Sequence, residues 1–151
     1  MEYSLRDHTA DVAVEATGAT LGEVFAAVAE GLTEAMCERY PSGGERFSVT
    51  ERAEGREALL FDYLDRLIYE RDVRGVLPVD HDCTVSLEES ADDGEAAGTD
   101  DGDAHEWVAT ASARGVPLTE VAARDVKAVT YSEMALEERD GEWYAYVVFD
   151  V

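Results

Sequence analysis

The amino-acid sequence predicts an α+β fold, a single domain in which two amphipathic helices pack on a largely antiparallel β-sheet. Two helix-like segments alternate with strand-like segments in the first half of the chain, and the second half is mostly strand-like. A chain of 151 residues can form one domain with a sizeable core, and no linker or internal repeat divides it. We therefore expect one domain over residues 1–151.

Each predicted helix carries one apolar stripe. Thr20 followed by Glu23 is a capping-box pattern, so the first helix should begin there. The second helix should run from about Glu57 to Arg74. The apolar stripes comprise Leu21, Val24, Phe25, Val28, Leu32 and Met36 in the first helix, and Leu60, Tyr63, Leu64, Leu67 and Ile68 in the second. The face of the second helix that we expect to be solvated comprises Asp62, Asp65, Arg66, Glu70 and Arg71.

Alternating apolar and polar residues predict the strands. We expect them at residues 12–17, 47–50, 76–79, 83–87, 107–114, 127–136 and 143–150. Pro78 weakens the third of these, because proline removes a backbone donor. Asp140-Gly141 is typical of a two-residue hairpin turn, and it should join the last two strands.

Residues of about 88–106 form an acidic segment between two predicted strands. The segment is rich in Asp, Glu, Gly and Ala, so it cannot bury enough apolar surface to fold and should be a flexible loop. Its groups Asp92-Asp93 and Asp100-Asp101-Gly102-Asp103 invite a calcium-loop interpretation. They lack the alternating carboxylates, fixed glycine and distal glutamate of an EF-hand, which argues against that interpretation.

The charge of the chain bears on its partners and its location. The formal net charge is −23, and there is no cluster of basic residues, so direct binding to nucleic acid is not expected. The acidic loop holds only part of the excess. An acidic charge spread over the whole chain is typical of proteins from a high-salt cytoplasm, and we predict a halophilic source. The sequence has neither an apolar run of about 18 residues nor a signal core, which predicts a cytoplasmic location without a membrane span.

The sequence lacks the common catalytic and cofactor motifs. It has no phosphate-binding glycine loop, no dinucleotide fingerprint and no nucleophile elbow, so we identify no catalytic residue. His8, His81 and His105 lack the close spacing of a zinc site. Cys37 and Cys83 have no partner spacing and should be inert thiols of a reducing cytoplasm.

The acidic residues near the two ends of the chain are the strongest candidate site. Asp7-His8-Thr9-Ala10-Asp11 precedes the first predicted strand, and Phe149-Asp150-Val151 ends the chain. If the first and last strands are neighbours, Asp11, Asp150 and the Val151 carboxylate converge as oxygen ligands for Ca²⁺ or Mg²⁺. The alternative is that Asp11 ends a turn and Asp150 is a solvated terminus.

Lys127 begins one of the predicted strands and is one of only 12 basic residues. A lysine in that position is also typical of an edge strand that must avoid aggregation. The sequence pattern leaves a functional role and this structural role open.

Four blocks of the sequence resemble the archease family. They are His8-Thr9-Ala10-Asp11-Val12, the run from Leu59 to Tyr69 (LLFDYLDRLIY), Lys127-Ala128-Val129-Thr130-Tyr131, and the segment from Trp143 to the terminal Asp150-Val151. The blocks follow the family's order and span nearly the whole chain. Two features depart from the family pattern: Ser132 stands where a histidine is usual, and the acidic loop is an insertion.

The resemblance implies an accessory protein rather than an enzyme. An archease activates the RtcB-type RNA ligase of tRNA splicing by promoting guanylylation of the ligase and its multiple turnover. The resemblance further implies a divalent-metal site at Asp11, Asp150 and Val151, with Ca²⁺ expected and Mg²⁺ or Mn²⁺ as alternatives. His8 and Lys127 are the candidates for contact with the ligase. The alternative functions are a more general chaperone or modulator of RNA-processing or RNA-modifying enzymes, and a small metal-dependent hydrolase.

Overall fold

The structure is a computed structural model that describes residues 2–7, 11–89 and 105–151. The elements, in chain order, are β1 (Glu2–Asp7), β2 (Asp11–Gly18), α1 (Leu21–Met36), β3 (Glu45–Ala53), α2 (Arg56–Arg74), β4 (Val76–Glu89), β5 (His105–Pro117), a short 3₁₀ turn (Leu118–Glu120), β6 (Ala128–Arg139) and β7 (Glu142–Asp150). No helix in these ranges is long and apolar enough to cross a membrane.

The described strands form two antiparallel sheets. The four-stranded sheet has the order β1-β2-β7-β6, and the three-stranded sheet has the order β3-β5-β4. Every pairing in both sheets is antiparallel. The predicted α+β class with two helices on antiparallel sheet structure is therefore confirmed, and the structure adds the division into two sheets.

The two helices and the inner faces of the sheets share one core. The predicted helix stripes are buried apart from Leu21, which is partly buried against the same core. Phe25 of α1 stacks on Tyr63 of α2 with ring centroids 5.9 Å apart. In β7, the alternate residues Ala145, Val147 and Phe149 are fully buried, as the period of the strand predicts.

The N-terminal end of α1 and the β6–β7 turn follow the local sequence signals. The Thr20 hydroxyl accepts a hydrogen bond from the Glu23 amide at 3.1 Å, and the Glu23 carboxylate accepts one from the Ala19 amide. The hairpin residues Asp140 and Gly141 both have positive φ angles, of 52° and 82°. Positive φ at both central residues is the geometry that a tight hairpin of this kind requires.

The predicted solvent face of α2 is wrong at two positions. Glu70 and Arg71 are buried, with 5% and 7% of their surface exposed. Glu70 accepts charged hydrogen bonds from Arg66 and Arg74, each four residues away, and Arg71 donates to the Val126 carbonyl at 2.9 Å. Charged groups tolerate burial when such partners replace water.

The strand predictions need three corrections. Residues 76–79 and 83–87 belong to one continuous strand, β4, in which the pairing register shifts between Val79 and Asp82. Proline is tolerated there because β4 is an edge strand. Strand β1 was not predicted. The loop expected at 88–106 is shorter at both ends, because Glu88 and Glu89 pair with Glu106 and His105; its remaining part, 90–104, lies outside the described residues.

A polar network fastens the irregular part of β4 to α1. The Thr33 hydroxyl lies 2.7 Å from the Pro78 carbonyl oxygen and 2.8 Å from Nε2 of His81. The His81 amide donates to the Glu30 carboxylate at 2.8 Å. The second ring nitrogen, Nδ1, is buried and has no partner among the described groups. Burial lowers the pKa of His81 to about 4, so the imidazole is neutral near pH 7.

Glycines allow α1 to approach both sheets closely. A Cβ atom on Gly22 would lie 2.4 Å from the carbonyl oxygen of Cys83 in β4, and one on Gly31 would lie 2.5 Å from a methyl group of Val14 in β2. The helix therefore needs glycine at its contacts with each sheet, because no larger side chain fits there. Close packing of this kind leaves little room for added volume.

The Gly22→Ala variant should be less stable than the wild type by about 1–3 kcal/mol, because the added methyl group would overlap a backbone carbonyl. Chemical denaturation at fixed salt concentration measures the difference. Gly55→Ala is the matched control at the start of α2, where an added methyl group meets no neighbouring atom within 4 Å. Equal stability of the wild type and Gly22→Ala would contradict the close approach of α1 to β4.

His81 should make the stability dependent on pH in the acid range. Its folded-state pKa of about 4 lies below the ordinary value of 6.5, so the unfolded chain takes up the proton first. This contribution is complete above pH 6.5 and is lost as the pH falls toward 4, to a total of about 3 kcal/mol. Glu30, whose pKa burial raises, acts in the opposite direction; Asp80 and Arg46 are the other charges that act on His81.

The measurement is the free energy of unfolding of the wild type and His81→Gln between pH 7 and pH 4.5. Because the variant keeps Glu30, Asp80 and Arg46, the difference between the two curves isolates the imidazole. The advantage of the wild type should decrease as the pH falls. Parallel curves would show that His81 titrates normally.

Candidate functional site

Strands β2 and β7 bring two carboxylates together at one end of the four-stranded sheet. Asp11 is the first residue of β2, Asp150 is the last residue of β7, and the two are directly opposite each other in the antiparallel register. Residues in that relation share one face of the sheet, with Cβ atoms about 5 Å apart. The condition on which the predicted convergence depended, that these strands are neighbours, is therefore met.

The terminal residue Val151 follows at once and completes this end of the sheet. Its side chain is partly buried against the core, which holds the end of the chain beside Asp11 and Asp150. We call these three residues the acidic tip. Asp11 is half-buried and Asp150 is exposed, so the tip opens to solvent.

Strand β6 brings Lys127 to the acidic tip from the other side. Ala128 pairs with Asp150, and the Lys127 amide donates to the Asp150 carbonyl oxygen at 2.8 Å. The Lys127 side chain is exposed and forms no ion pair with the side chains that the structure describes. Strand β6 is also an edge of its sheet, so the position fits both the functional and the edge-protecting interpretation.

The other residues singled out by sequence have different positions. His8 lies outside the described residues. Ser132 is exposed in the irregular part of β6, where its amide donates to the Thr130 hydroxyl. Cys37 is buried and Cys83 is partly buried. Burial, together with the charge of Asp82, raises the pKa of Cys83 to about 12, which fits an inert thiol.

The donor chemistry of the acidic tip suits a hard divalent cation. The two side-chain carboxylates and the α-carboxylate offer only oxygen atoms, the ligands that Ca²⁺ and Mg²⁺ prefer. In the described ranges, no three side chains of His, Cys, Asp or Glu come together as a metal-binding group. A cation at the tip would therefore need oxygen ligands beyond the side chains of Asp11 and Asp150, from Val151, water or a partner protein.

Two features of the structure had no signal in the sequence. A cavity of about 500 Å³ opens next to Asp11, between the end of α1 and the segment after β5. Its lining comprises Val12, Glu34, Ala35, Met36, Cys37, Glu38, Ala122 and Arg124. The second is a parallel stack of Tyr131 on Phe61, with ring centroids 4.2 Å apart. Each feature is formed by residues far apart in the chain, and the periodicity of the sequence does not predict such contacts.

Solved structures with the same architecture confirm the fold. Protein 1598 of Methanobacterium thermoautotrophicum has a TM-score of 0.73 and 26% sequence identity, covering 99% of this chain and 98% of its own. A Thermotoga maritima protein described as an archease and possible chaperone has a TM-score of 0.60 and 20% identity, covering 97% and 94%. At that identity, the second comparison shows the fold alone.

Sequence comparison identifies the family. Protein archease of Thermococcus gammatolerans is 34% identical over 150 residues, which cover 96% of this chain and 95% of the relative. Protein archease of Archaeoglobus fulgidus is 29% identical, with full coverage of both chains. The sequence profile of the Archease protein family (MTH1598/TM1083) matches residues 3–151. This chain therefore belongs to the archease family.

Proposed function

We propose that this protein activates the RtcB-type RNA ligase of tRNA splicing, promoting guanylylation of the ligase and its multiple turnover. Its role is that of an accessory protein rather than an enzyme. Family membership supports the partner class, and the opposed pair Asp11 and Asp150 is the observation that carries the proposal. A location in the cytoplasm of a halophilic cell accords with the acidic composition.

The acidic tip is the proposed divalent-cation site. Two carboxylates on directly opposite residues repel each other unless a cation lies between them, so the tip favours cation binding. Ca²⁺ is the expected ion, with Mg²⁺ and Mn²⁺ as alternatives, because all the donors are oxygen atoms. A bound cation would supply positive charge next to a nucleoside triphosphate, where guanylyl transfer accumulates negative charge.

Lys127 and His8 are the proposed contacts with the ligase. The exposed ammonium group of Lys127 has no acid partner among the described side chains, although the chain carries 35 acidic residues. It is therefore free to pair with a carboxylate or phosphate group of the complex. The net charge of −23 disfavours direct binding of the tRNA itself.

A more general chaperone for RNA-processing or RNA-modifying enzymes is the second candidate function. A Thermotoga maritima protein of the same fold is described as a possible chaperone, and this description suggests the candidate. Such a protein would stimulate several unrelated enzymes without depending on Asp11. A small metal-dependent hydrolase, the third candidate, would show turnover in the absence of the ligase.

Asp11→Asn and Asp150→Asn should each abolish the stimulation of RNA joining, because each removes one charged ligand of the acidic tip. The assay is multiple-turnover joining by the ligase at limiting concentration in high potassium chloride. Calcium binding by the isolated variants, measured by calorimetry, should be weakened at least about tenfold. Glu138→Gln is the control, an exposed carboxylate toward the other end of β6.

Unchanged stimulation and unchanged calcium binding in both aspartate variants would contradict the cation site. Stimulation of unrelated RNA enzymes by the wild type and both variants would instead support the chaperone. If the folded wild type fails to stimulate the ligase, the proposed partner is wrong.

Lys127→Ala should reduce stimulation of the ligase while leaving calcium affinity unchanged, because the ammonium group contacts the partner rather than the cation. Lys127→Arg should retain part of the stimulation, since it keeps the charge. Arg139→Ala is the matched control. It removes one positively charged side chain at the distant end of β6, where Arg139 pairs with Glu137. If Lys127→Ala stimulates the ligase as well as the wild type does, the role of Lys127 is to protect the edge strand from aggregation.

A further inference from the structure

One side of α2 carries exposed apolar side chains beyond the core, next to Phe61, which packs partly against the core. In the described part of the chain, the three large apolar side chains more than half exposed are Tyr69, Val73 and Tyr131, at 56%, 62% and 55%. Tyr69 and Val73 are one turn apart on α2. Tyr131 of β6 stacks in parallel on Phe61, an earlier residue of α2. We call Phe61, Tyr69, Val73 and Tyr131 the apolar ledge.

The ledge follows one ridge of the helix. Residues 61, 65, 69 and 73 are four positions apart, so they form one i, i+4 row in which Asp65 lies between Phe61 and Tyr69. Rows of this kind pack into the groove of a neighbouring element. Single exposed apolar residues are common, whereas two apolar pairs on one helix row, Phe61 with Tyr131 and Tyr69 with Val73, indicate an interaction surface. An exposed β-branched Val73 is also a poor choice for helix stability alone.

The backbone of β6 presents Tyr131 to the ledge. The pairing of β6 with β7 shifts register between Thr130 and Ala135, and Glu133 in this segment has a left-handed φ of 59°. A bulge of this kind redirects side chains and is typical of sites with a function. Tyr131 lies in this irregular segment and stacks on Phe61 of α2.

The charges around the ledge are acidic and uncompensated. Asp62 and Asp65 make no ion pair with described side chains. Arg66, Arg71 and Arg74 of α2 pair with other acids of this chain. Arg56 lies over the rings of Trp107 and Trp143. Burial, and then the charges of Glu51 and Asp65, raise the pKa of Asp62, which agrees with the lack of a nearby cation. The surface offers apolar contact with negative charge beside it.

We propose that the apolar ledge is the surface through which this protein docks on its partner, and that it fits an apolar groove of the partner edged by arginine or lysine side chains. The inference rests on the proposed function, in which the partner is the ligase. If a second copy of this chain docked there, Asp62 and Asp65 would face acidic side chains of that copy, and each copy carries a net charge of −23. Charge complementarity therefore selects a basic partner.

The position of the ledge separates docking from activation. Tyr131 is four residues after Lys127, which immediately precedes β6, and four extended residues span about 13 Å. Docking through the ledge would therefore hold the acidic tip at a fixed distance from the docking surface. The ledge supplies affinity and orientation, and the tip supplies the chemical effect.

The test is the dissociation constant of the full chain for the full-length ligase, measured in potassium chloride with a fluorescent label. The double variant Tyr69→Ser/Val73→Ser and the single variant Tyr131→Ser should each bind at least about tenfold more weakly. Leu87→Ser is the matched control, an apolar side chain of β4 that is 48% exposed outside the ledge. Unchanged melting temperatures would verify folding, since the altered side chains are mostly exposed.

A charge reversal tests the kind of partner. Asp65→Lys should weaken binding, and this effect should shrink as salt screens the charges, whereas the effect of Tyr69→Ser/Val73→Ser should persist. Glu2→Lys on β1, the opposite edge of the four-stranded sheet, makes the same charge change away from the ledge and should leave binding unchanged.

The outcomes separate this inference from the proposed function. Ledge variants should still stimulate at saturating concentration, while Asp11→Asn should bind normally without stimulating. Binding of all ledge variants like the wild type would overturn the ledge alone. Altered self-association of the ledge variants in sedimentation, with ligase binding unchanged, would assign the ledge to a second copy. If the wild type neither binds nor stimulates the ligase, the proposed function fails.

Discussion

The register between β2 and β7 is the constraint on which the rest of the molecule depends. It pairs Asp11 with Asp150 at one end and Gly18 with Trp143 at the other. Burial of alternate residues such as Val14 and Val147 holds it, because a slip of one residue would turn the apolar side chains toward solvent. The same slip would move a carboxylate to the other face. The core therefore positions Asp11 and Asp150 through the pairing of the strands that carry them.

Helix α1 joins the two sheets into one body. Gly22 lets it lie against the backbone of β4, and Gly31 lets it lie against Val14 of β2. Thr33 then ties the irregular part of β4 to the helix through the Pro78 carbonyl and His81. These hydrogen bonds offset the cost of burying the Thr33 hydroxyl and the His81 Nε2 atom, and they fix β4 relative to α1.

The distribution of charge gives the surface two kinds of region. Most arginines of the described chain are engaged by its own acids, as Arg66 is by Glu51 and Glu70. Lys127 is not engaged in this way, and it lies where β6, β7 and β2 meet at the acidic tip. The apolar ledge on α2 is the other unusual region, because it leaves apolar surface uncovered beside unpaired aspartates. In the proposed function, the ledge binds the partner and the tip acts on it.

The sequence by itself determined the features that depend on neighbouring residues: both helices, the capping box at Thr20, the Asp140-Gly141 hairpin and the alternation that buries Phe149. Periods of 3.6 and 2 residues are local properties of the chain. Only the tertiary structure decided which strands pair, that Glu70 and Arg71 are buried, and that Tyr131 reaches Phe61. These outcomes depend on contacts between residues distant in the chain, and their energies arise only when the core assembles. Asp11 and Asp150 show both levels, because local sequence placed each at a strand end and long-range pairing placed them opposite each other.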